Sequence, residues 1–338
     1  MTCNISKIVE KIIGHPLVNF LQQFGFGDSQ WAFRKKSSSK DLLTVMTGTW
    51  IRTICSGHKI GAYFNDIAGA FDRVDKTYLL GKLRNIGVSD NFVDFLSSYL
   101  DPRIGRVTIE AAFSDTFEIC NMIYQGTVLG PPLWNTFFHD IEGPATFEGG
   151  SATIFADDLN VFQIFPLDVQ NAQILEIMER TRKNVHQWGK RNRVTFEPSK
   201  ENLAVIHPSS GEGETFKLLG CMFDVNLKMD IEIERICSIT KPKINAMLRI
   251  ANLYTKTDMI QQFKTHIWGY FEYSCGSILY ATENQLQKID NIQTRFLRHL
   301  NIDEDVAFLE YNFAPTMLRR DIGILGFIHK RILNDCHP

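Results

Sequence analysis

The sequence has 338 residues, with 36 Lys and Arg against 38 Asp and Glu, for a net charge of −2. Its 44% hydrophobic and 22% charged content is that of a globular chain with a sizeable core and room for two or three lobes, which excludes a charged, disordered chain. The near-neutral balance also argues against a protein basic throughout, as a dedicated nucleic-acid binder is.

The 25 phenylalanines point to aromatic-rich packing. Seven cysteines (3, 55, 120, 221, 237, 275 and 336) are scattered without a C-x-x-C pair, the pattern of reduced intracellular thiols with no zinc site. The stretch from Met1 to Asn19 is polar and amphipathic rather than a signal peptide, and no apolar run is long enough for a bilayer.

Residues 5–25 carry Ile8, Ile12, Ile13, Leu17 and Leu21 at helical spacing and predict a helix with that face inward. A Ser- and Lys-rich stretch, 27–40, leads into a second helix to about Ser56. Residues 60–67 read as a buried strand. A helix over 76–86 ends at Gly87, and Ser89 or Asp90 caps the next, to about Leu100. Residues 103–124 alternate as an antiparallel hairpin, and another helix is expected after Pro131-Pro132.

The hairpin 152–165 comes next, then a long helix over 168–191 with Ala172, Leu175, Met178, Val185 and Trp188 on one face. Short strands are expected at 194–196, 203–207 and 216–224. From about 230 onward the pattern is all helical, with Leu286, Ile289, Gln293, Phe296 and Leu300 on one face of 283–300. That change near 230 marks the best domain boundary.

The 152–165 hairpin contains T-I-F-A-D-D-L-N-V-F, residues 153–162. Adjacent aspartates are poor turn formers, because they lack glycine's freedom and repel each other. Local misfits of this kind mark functional sites. A second acid, Asp66, ends the apolar strand in Y-F-N-D-I-A-G-A-F-D-R-V, residues 63–74. Carboxylates gathered on neighbouring strands repel unless divalent cations fill the cluster. Hard oxygen ligands suit Mg²⁺, and two such ions ~3.5–4 Å apart serve in-line phosphoryl transfer.

These stretches resemble the reverse transcriptase of non-LTR (LINE-type) retrotransposons, most closely the jockey-like group. D-I-A-G-A-F-D-R-V resembles the first palm motif, Q-G-T-V-L-G-P-P-L-W-N (125–135) the second, and F-A-D-D (155–158) the catalytic hairpin. P-S-K-E-N from Pro198 and F-K-L-L-G (216–220) resemble the last two palm motifs. Q-W-A-F-R-K-K-S-S-S (30–39) is similar to the fingers segment, and N-F-A-P-T-M-L-R-R-D-I-G-I-L-G-F-I-H-K to the segment after the thumb. The resemblance covers nearly the whole chain.

The resemblance implies an α+β right-hand polymerase fold with an antiparallel palm sheet, partial fingers and an all-helical C-terminal thumb region. Fingers would occupy 1–59, palm 60–229 with a fingers insertion at about 76–124, and thumb with extension 230–338. It implies an RNA-directed DNA polymerase with two Mg²⁺ ions (Mn²⁺ as substitute), working on an RNA template, a DNA primer and dNTPs, inside the cell and without a membrane.

Carried over residue by residue, Asp66, Asp157 and Asp158 hold metal, and Ile67 offers its backbone near the triphosphate. Phe71, five residues after Asp66, is a steric gate against a 2′-hydroxyl; its alternative is core packing. Gln125 and Gly126 meet the incoming base pair, and Arg34 the triphosphate. Lys200 approaches the leaving pyrophosphate as a general acid. The six cations Arg180, Arg182, Lys183, Lys190, Arg191 and Arg193 form a template–primer contact with no acid between them; a solvated helix face is the alternative. Asp72 is expected to cap a helix or pair with Arg73 or Lys76.

Two positions depart from the family pattern: Lys36 stands where a glycine is usual, and Asn65 where a small or apolar residue is usual. About 60 residues precede the first palm motif and no endonuclease segment is legible. The alternative function is therefore an inactive, truncated remnant that only binds nucleic acid. An RNA-templated RNA polymerase is disfavoured by Phe71, and an unrelated Phe-rich globular protein by the ordered motifs.

Overall fold

A computed structural model describes residues 4–24, 26–65, 67, 69–119 and 123–333. In chain order the elements begin with helices α1 (Asn4–Phe24) and α2 (Ser39–Cys55), then strand β1 (His58–Asn65). Next come α3 (Lys76–Asn85), α4 (Asp90–Tyr99) and short strands β2 (Arg103–Gly105), β3 (Thr108–Ile109), β4 (Ala112–Phe113) and β5 (Phe117–Ile119). Helices α5 (Gly130–Phe138) and α6 (Glu142–Thr146) lead to the hairpin β6 (Ser151–Phe155) and β7 (Asp158–Pro166), then to α7 (Asn171–Asn192). After β8 (Asn202–Ile206), β9 (Phe216–Leu218) and β10 (Cys221–Phe223) the chain is helical: α8 (Asp230–Arg249), α9 (Lys256–His266), α10 (Trp268–Tyr273), α11 (Glu283–His299), α12 (Glu304–Tyr311) and α13 (Thr316–Ile332).

The chain divides into two compact units, one of residues 1–35, 61–163 and 172–203, the other of 36–60, 164–171 and 204–338. In the first, residues 61–65, 151–163 and 202–203 belong to a four-stranded sheet in the order β6-β7-β1-β8. Strand β1 is buried along almost its whole length, as a strand covered on both faces must be. The core includes Leu21, Leu83, Leu96, Trp134, Phe137 and Phe138, all fully buried or nearly so. Within it the Lys82 ammonium lies 4.5 Å from the Phe137 ring centre and 4.9 Å from that of Trp188, while bonding Asp140 at 2.7 Å. Burial pulls this ammonium below its ordinary pKa, and Asp140 opposes the shift.

The second unit packs β9 against β10 beside a helical core centred on Phe263, whose ring lies 4.7 Å from Phe296 and 5.1 Å from Phe313. A fully buried carboxylate, Glu232, accepts from Arg235 at 2.7 and 2.6 Å, from the Met222 amide at 2.8 Å and from Ser274 at 2.6 Å. These four hydrogen bonds, from three partners, are what a buried charge requires. Burial pushes the neighbouring Cys221 thiol up to about 11, with the Glu232 charge adding to the shift. No helix among the described residues is long and apolar enough to cross a membrane.

Several local expectations are corrected. The buried stripe of α1 is Glu10, Gly14, Leu17 and Leu21, while Ile8 and Ile12 are exposed. Glu10 turns inward because its carboxylate accepts the Val128 amide at 2.6 Å. Helix α5 begins at Gly130 rather than after the prolines, which sit in its first turn where no amide donor is needed. The expected strand 194–196 is a single bridge, Phe196 to Ile67. In α7 the buried face is Ile174, Met178, Thr181, Val185 and Trp188, with Ala172 exposed.

Truncating Phe263 removes the ring at the centre of the helical core. Phe263→Ala is expected to destabilise the second unit by about 3–5 kcal/mol, read as a lower urea midpoint for loss of helical circular dichroism.

Candidate functional site

The site is built on the β6–β7 hairpin. Its register pairs Phe155 with Asp158, so the loop is the two residues Ala156 and Asp157. Asp158 is the first residue of β7, so of the two aspartates only Asp157 lies in the loop. Two-residue hairpin loops need positive φ, and Ala156 supplies it at +58° without being glycine. Both aspartates are half-buried.

The strained turn is held from outside. Gln30 is 1% exposed. Its Oε1 accepts the Ala156 amide at 3.0 Å and the Ala32 amide at 2.9 Å, and its Nε2 donates to the Ala156 carbonyl at 3.3 Å. The Trp134 indole donates to the same carbonyl at 2.9 Å. Trp31 N–H donates to the Ile154 carbonyl and Ile154 N–H to the Ser29 carbonyl, each at 2.8 Å, so residues 29–31 lie along β6. Neither Gln30 nor Trp134 is singled out by sequence reasoning. Both stand inside recognised motifs, but their hydrogen bonds span 126 and 22 residues and leave no periodic trace.

Trp134 links this turn to the first motif. Its ring stacks on Phe71 with centroids 5.7 Å apart and planes 22° apart. Phe71 is half-buried in a 3₁₀ turn, Ala70–Arg73, entered through Gly69 at φ +66°. The Phe71 carbonyl accepts the Ile123 amide at 2.8 Å, and Gln125 Nε2 donates to Asp72 at 3.2 Å. Phe71, Asp72, Gln125 and Gly126 are thus brought together, with Gln125 and Gly126 exposed. Asp72 pairs with Gln125 rather than with Arg73 or Lys76, and the cap of α3 is Asp75, which accepts the Tyr78 amide.

The other expected residues fall as follows. Asp66 lies outside the described residues. Its neighbours Asn65 and Ile67 are 4% and 3% exposed, so the strand end is set in packed surroundings. Asn65 Nδ2 donates to the Tyr63 hydroxyl at 2.5 Å and to Glu201 at 3.3 Å. Glu201 also receives Tyr63 O–H at 3.4 Å, His186 Nε2 at 2.7 Å and Arg182 at 3.5 Å. Asn65, unusual for the motif, is thus part of a buried polar network. Burial raises the Tyr63 phenol far above its ordinary value, and the Glu201 charge adds to the shift.

Arg34 donates to the Gly27 carbonyl and lies 5.7 Å from the Phe26 ring centre. Burial lowers its pKa, against the pull of Asp28. Lys200 is exposed at the end of a 3₁₀ turn, Pro198–Lys200. Of the basic run, Arg180 pairs with Glu148 and Glu176, Arg182 with Glu179 and Glu201, and Arg193 with Asp75. Acids outside the run therefore compensate half of a cluster that looks uncompensated in sequence.

No three His, Cys, Asp or Glu side chains among the described residues are grouped to hold a metal ion. The hairpin's own donors, two adjacent half-exposed carboxylates, fit a hard divalent cation that keeps water in its shell.

Residues 1–223 match the family model for reverse transcriptase, the RNA-dependent DNA polymerase. The chain belongs to the reverse transcriptase family. It is 23% identical over 342 residues to the probable RNA-directed DNA polymerase from transposon X-element of Drosophila melanogaster, covering 95% of this chain and 36% of that protein. It is 22% identical over 322 residues to the RNA-directed DNA polymerase from mobile element jockey of Drosophila funebris, covering 88% of this chain and 34% of that one. The chain thus spans about a third of the length of these relatives. A solved structure of Candida albicans telomerase with a fragment of telomeric RNA aligns at TM-score 0.48 and 10% identity, over 96% of this chain and 56% of that one.

The jockey-like, non-LTR resemblance read from the motifs is borne out by these relatives. The expected α+β class of a reverse transcriptase also holds: a β6–β7 antiparallel hairpin and sheet packed with helices, followed by a helical C-terminal part.

The Tyr63–Asn65–Glu201 network yields a pH-dependent expectation. A phenol whose pKa is raised on folding stays protonated after the unfolded chain has ionised. Its stabilisation is complete below about pH 10 and is lost as pH rises further. Tyr63→Phe is expected to cost about 1–3 kcal/mol at neutral pH and to flatten the loss of stability above about pH 10. Thermal unfolding of both proteins across that range checks it; parallel curves would show that Tyr63 does not carry the effect.

Proposed function

We propose that this chain is an RNA-directed DNA polymerase that extends a primer 3′-hydroxyl with dNTPs on an RNA template. The observation that carries the reading is the Asp157–Asp158 hairpin, whose turn is held by groups from the fingers-like and second palm motifs. Family membership supplies the reaction class, and the motifs supply the order.

In this reading Asp66, Asp157 and Asp158 hold two Mg²⁺ ions, or Mn²⁺ in their place, with the Ile67 backbone beside the triphosphate. When bound, the metal supplies charge neutralisation at the phosphates and eases deprotonation of the primer hydroxyl. The chain's own residues do the rest. Phe71, braced from behind by Trp134, blocks a 2′-hydroxyl. Gln125, oriented by Asp72, and Gly126 face the nascent base pair. Arg34 offers charge to the triphosphate, and Lys200 a proton to the departing pyrophosphate.

Residues 1–59 act as partial fingers, 60–229 as palm and 230–338 as thumb and extension. Because Arg180, Arg182 and Arg193 are ion-paired, phosphate contact by the basic run rests mainly on Lys183, Lys190 and Arg191.

Primer extension on an RNA template with Mg²⁺ and dNTPs tests the reading. Asp157→Ala removes a metal ligand and is expected to lower the rate at least about a thousandfold. If neither protein extends the primer while both still bind template–primer, the chain is a binding remnant.

Phe71→Ala separately tests the gate. Incorporation of rNTPs relative to dNTPs is expected to rise roughly tenfold or more as the steric block is removed. An unchanged ratio would assign Phe71 to packing against Trp134 alone.

A further inference from the structure

We infer that Gln30 is a positioning residue for the aspartate-bearing turn: its amide holds Ala156 in the left-handed conformation and so sets where the Asp157 carboxylate stands. The inference rests on the polymerase reading, which gives Asp157 its role as a ligand.

Gln30 is 1% exposed and does not reach a substrate. Its hydrogen bonds use both ends of the amide. One oxygen accepts two backbone amides, those of Ala156 and Ala32, and the nitrogen donates to the Ala156 carbonyl. This pattern fixes the orientation of the side chain, because a flipped amide would put a donor against two donors. Ala156 at φ +58° is strained, and nothing in its own methyl side chain favours that conformation.

Within the turn the peptide of Ala156 leads directly into Asp157. A fork that fixes both polar groups of residue 156 therefore fixes the direction in which the backbone enters residue 157. The backbone bonds of Ser29 and Trp31 to Ile154 anchor the fork itself to β6. A side chain that only satisfied a buried amide would need one bond; this one bonds both backbone polar groups of Ala156, and so grips the two peptide units that flank its Cα. Groups one step behind a metal ligand typically govern affinity or activity 10–100-fold.

Gln30→Met keeps the length of the side chain and removes its hydrogen bonds. It is expected to lower kcat for primer extension about 30–100-fold, with the KM for dNTP within about threefold. Half-saturating Mg²⁺ should rise about tenfold, and hydrogen exchange at the Ala156 amide should accelerate at least about a hundredfold. Unchanged kcat and Mg²⁺ dependence would overturn the inference.

The double variant Gln30→Met with Ala156→Gly separates positioning from stability, since glycine adopts positive φ without strain. Recovery of thermal stability with kcat still low supports positioning. Recovery of both means that Gln30 serves the fold alone, and the inference fails. Gln30→Glu adds a pH signature. The new carboxyl donates to the Ala156 carbonyl only when protonated, so activity relative to the unsubstituted chain should rise between about pH 8 and pH 6; a flat ratio counts against the fork.

Should the unsubstituted chain extend no primer, the polymerase reading fails first, and Mn²⁺ binding followed by electron paramagnetic resonance still decides the fork. Binding at least about tenfold weaker in Gln30→Met sustains it; equal binding, or none by either protein, overturns it.

Discussion

Ala156 occupies a backbone conformation that alanine disfavours, in a loop of two residues, next to the aspartate on which the proposed chemistry depends. The amide of Gln30 and the indole of Trp134 hold it there, both from buried positions where an unsatisfied polar group would be costly. Trp134 has a second task. It stacks on Phe71, whose carbonyl takes the Ile123 amide two residues before Gln125. One indole thus connects the aspartate turn, the proposed sugar gate and the segment proposed to meet the base pair. A change in any one of these would be transmitted through a packed aromatic contact rather than through solvent.

Charge is handled by the same economy. Glu201 is nearly inaccessible and gathers Tyr63, Asn65, His186 and Arg182 around one carboxylate. This ties β1, at the end that precedes Asp66, to α7 and to the segment after Lys200. It also explains why α7 is less basic in the folded chain than along the sequence. Three of the six cations in the run 180–193, two of them on α7, have carboxylate partners within the same unit, so the proposed phosphate contact falls on the rest. The helical unit repeats the device independently. Glu232 is fully buried with Arg235, Ser274 and a backbone amide, and its neighbour Cys221 is held as an inert thiol by burial.

Much of the fold is legible in the chain because helices and strands advertise themselves by local period. The helices 39–55, 76–85, 90–99 and 283–299 and the hairpin 151–166 lie within a few residues of where spacing and caps put them. Errors arise where a buried polar residue breaks the rule that apolar faces turn inward. In α1, Glu10 is buried by its bond to the Val128 amide, and the helix rotates so that Ile8 and Ile12 face outward. In the triplet 194–196 only Phe196 is bridged, to Ile67, and residues 194 and 195 are not in a strand.

The linear chain suffices for the family and for the type and order of its elements. Motif residues and hydrophobic periods are local properties, readable within a window of ten to twenty positions. It suffices as well to single out the adjacent aspartates, since a poor turn former in a turn is a local contradiction. The identity of the loop residues, Ala156 and Asp157, required the register of β6 against β7. The holding of that loop by Gln30, the partnership of Asp72 with Gln125 and the ion pairing of Arg180, Arg182 and Arg193 required the folded chain. Hydrogen bonds and ion pairs between distant segments have no period. They depend on distances of about 3 Å that exist only once the core has packed.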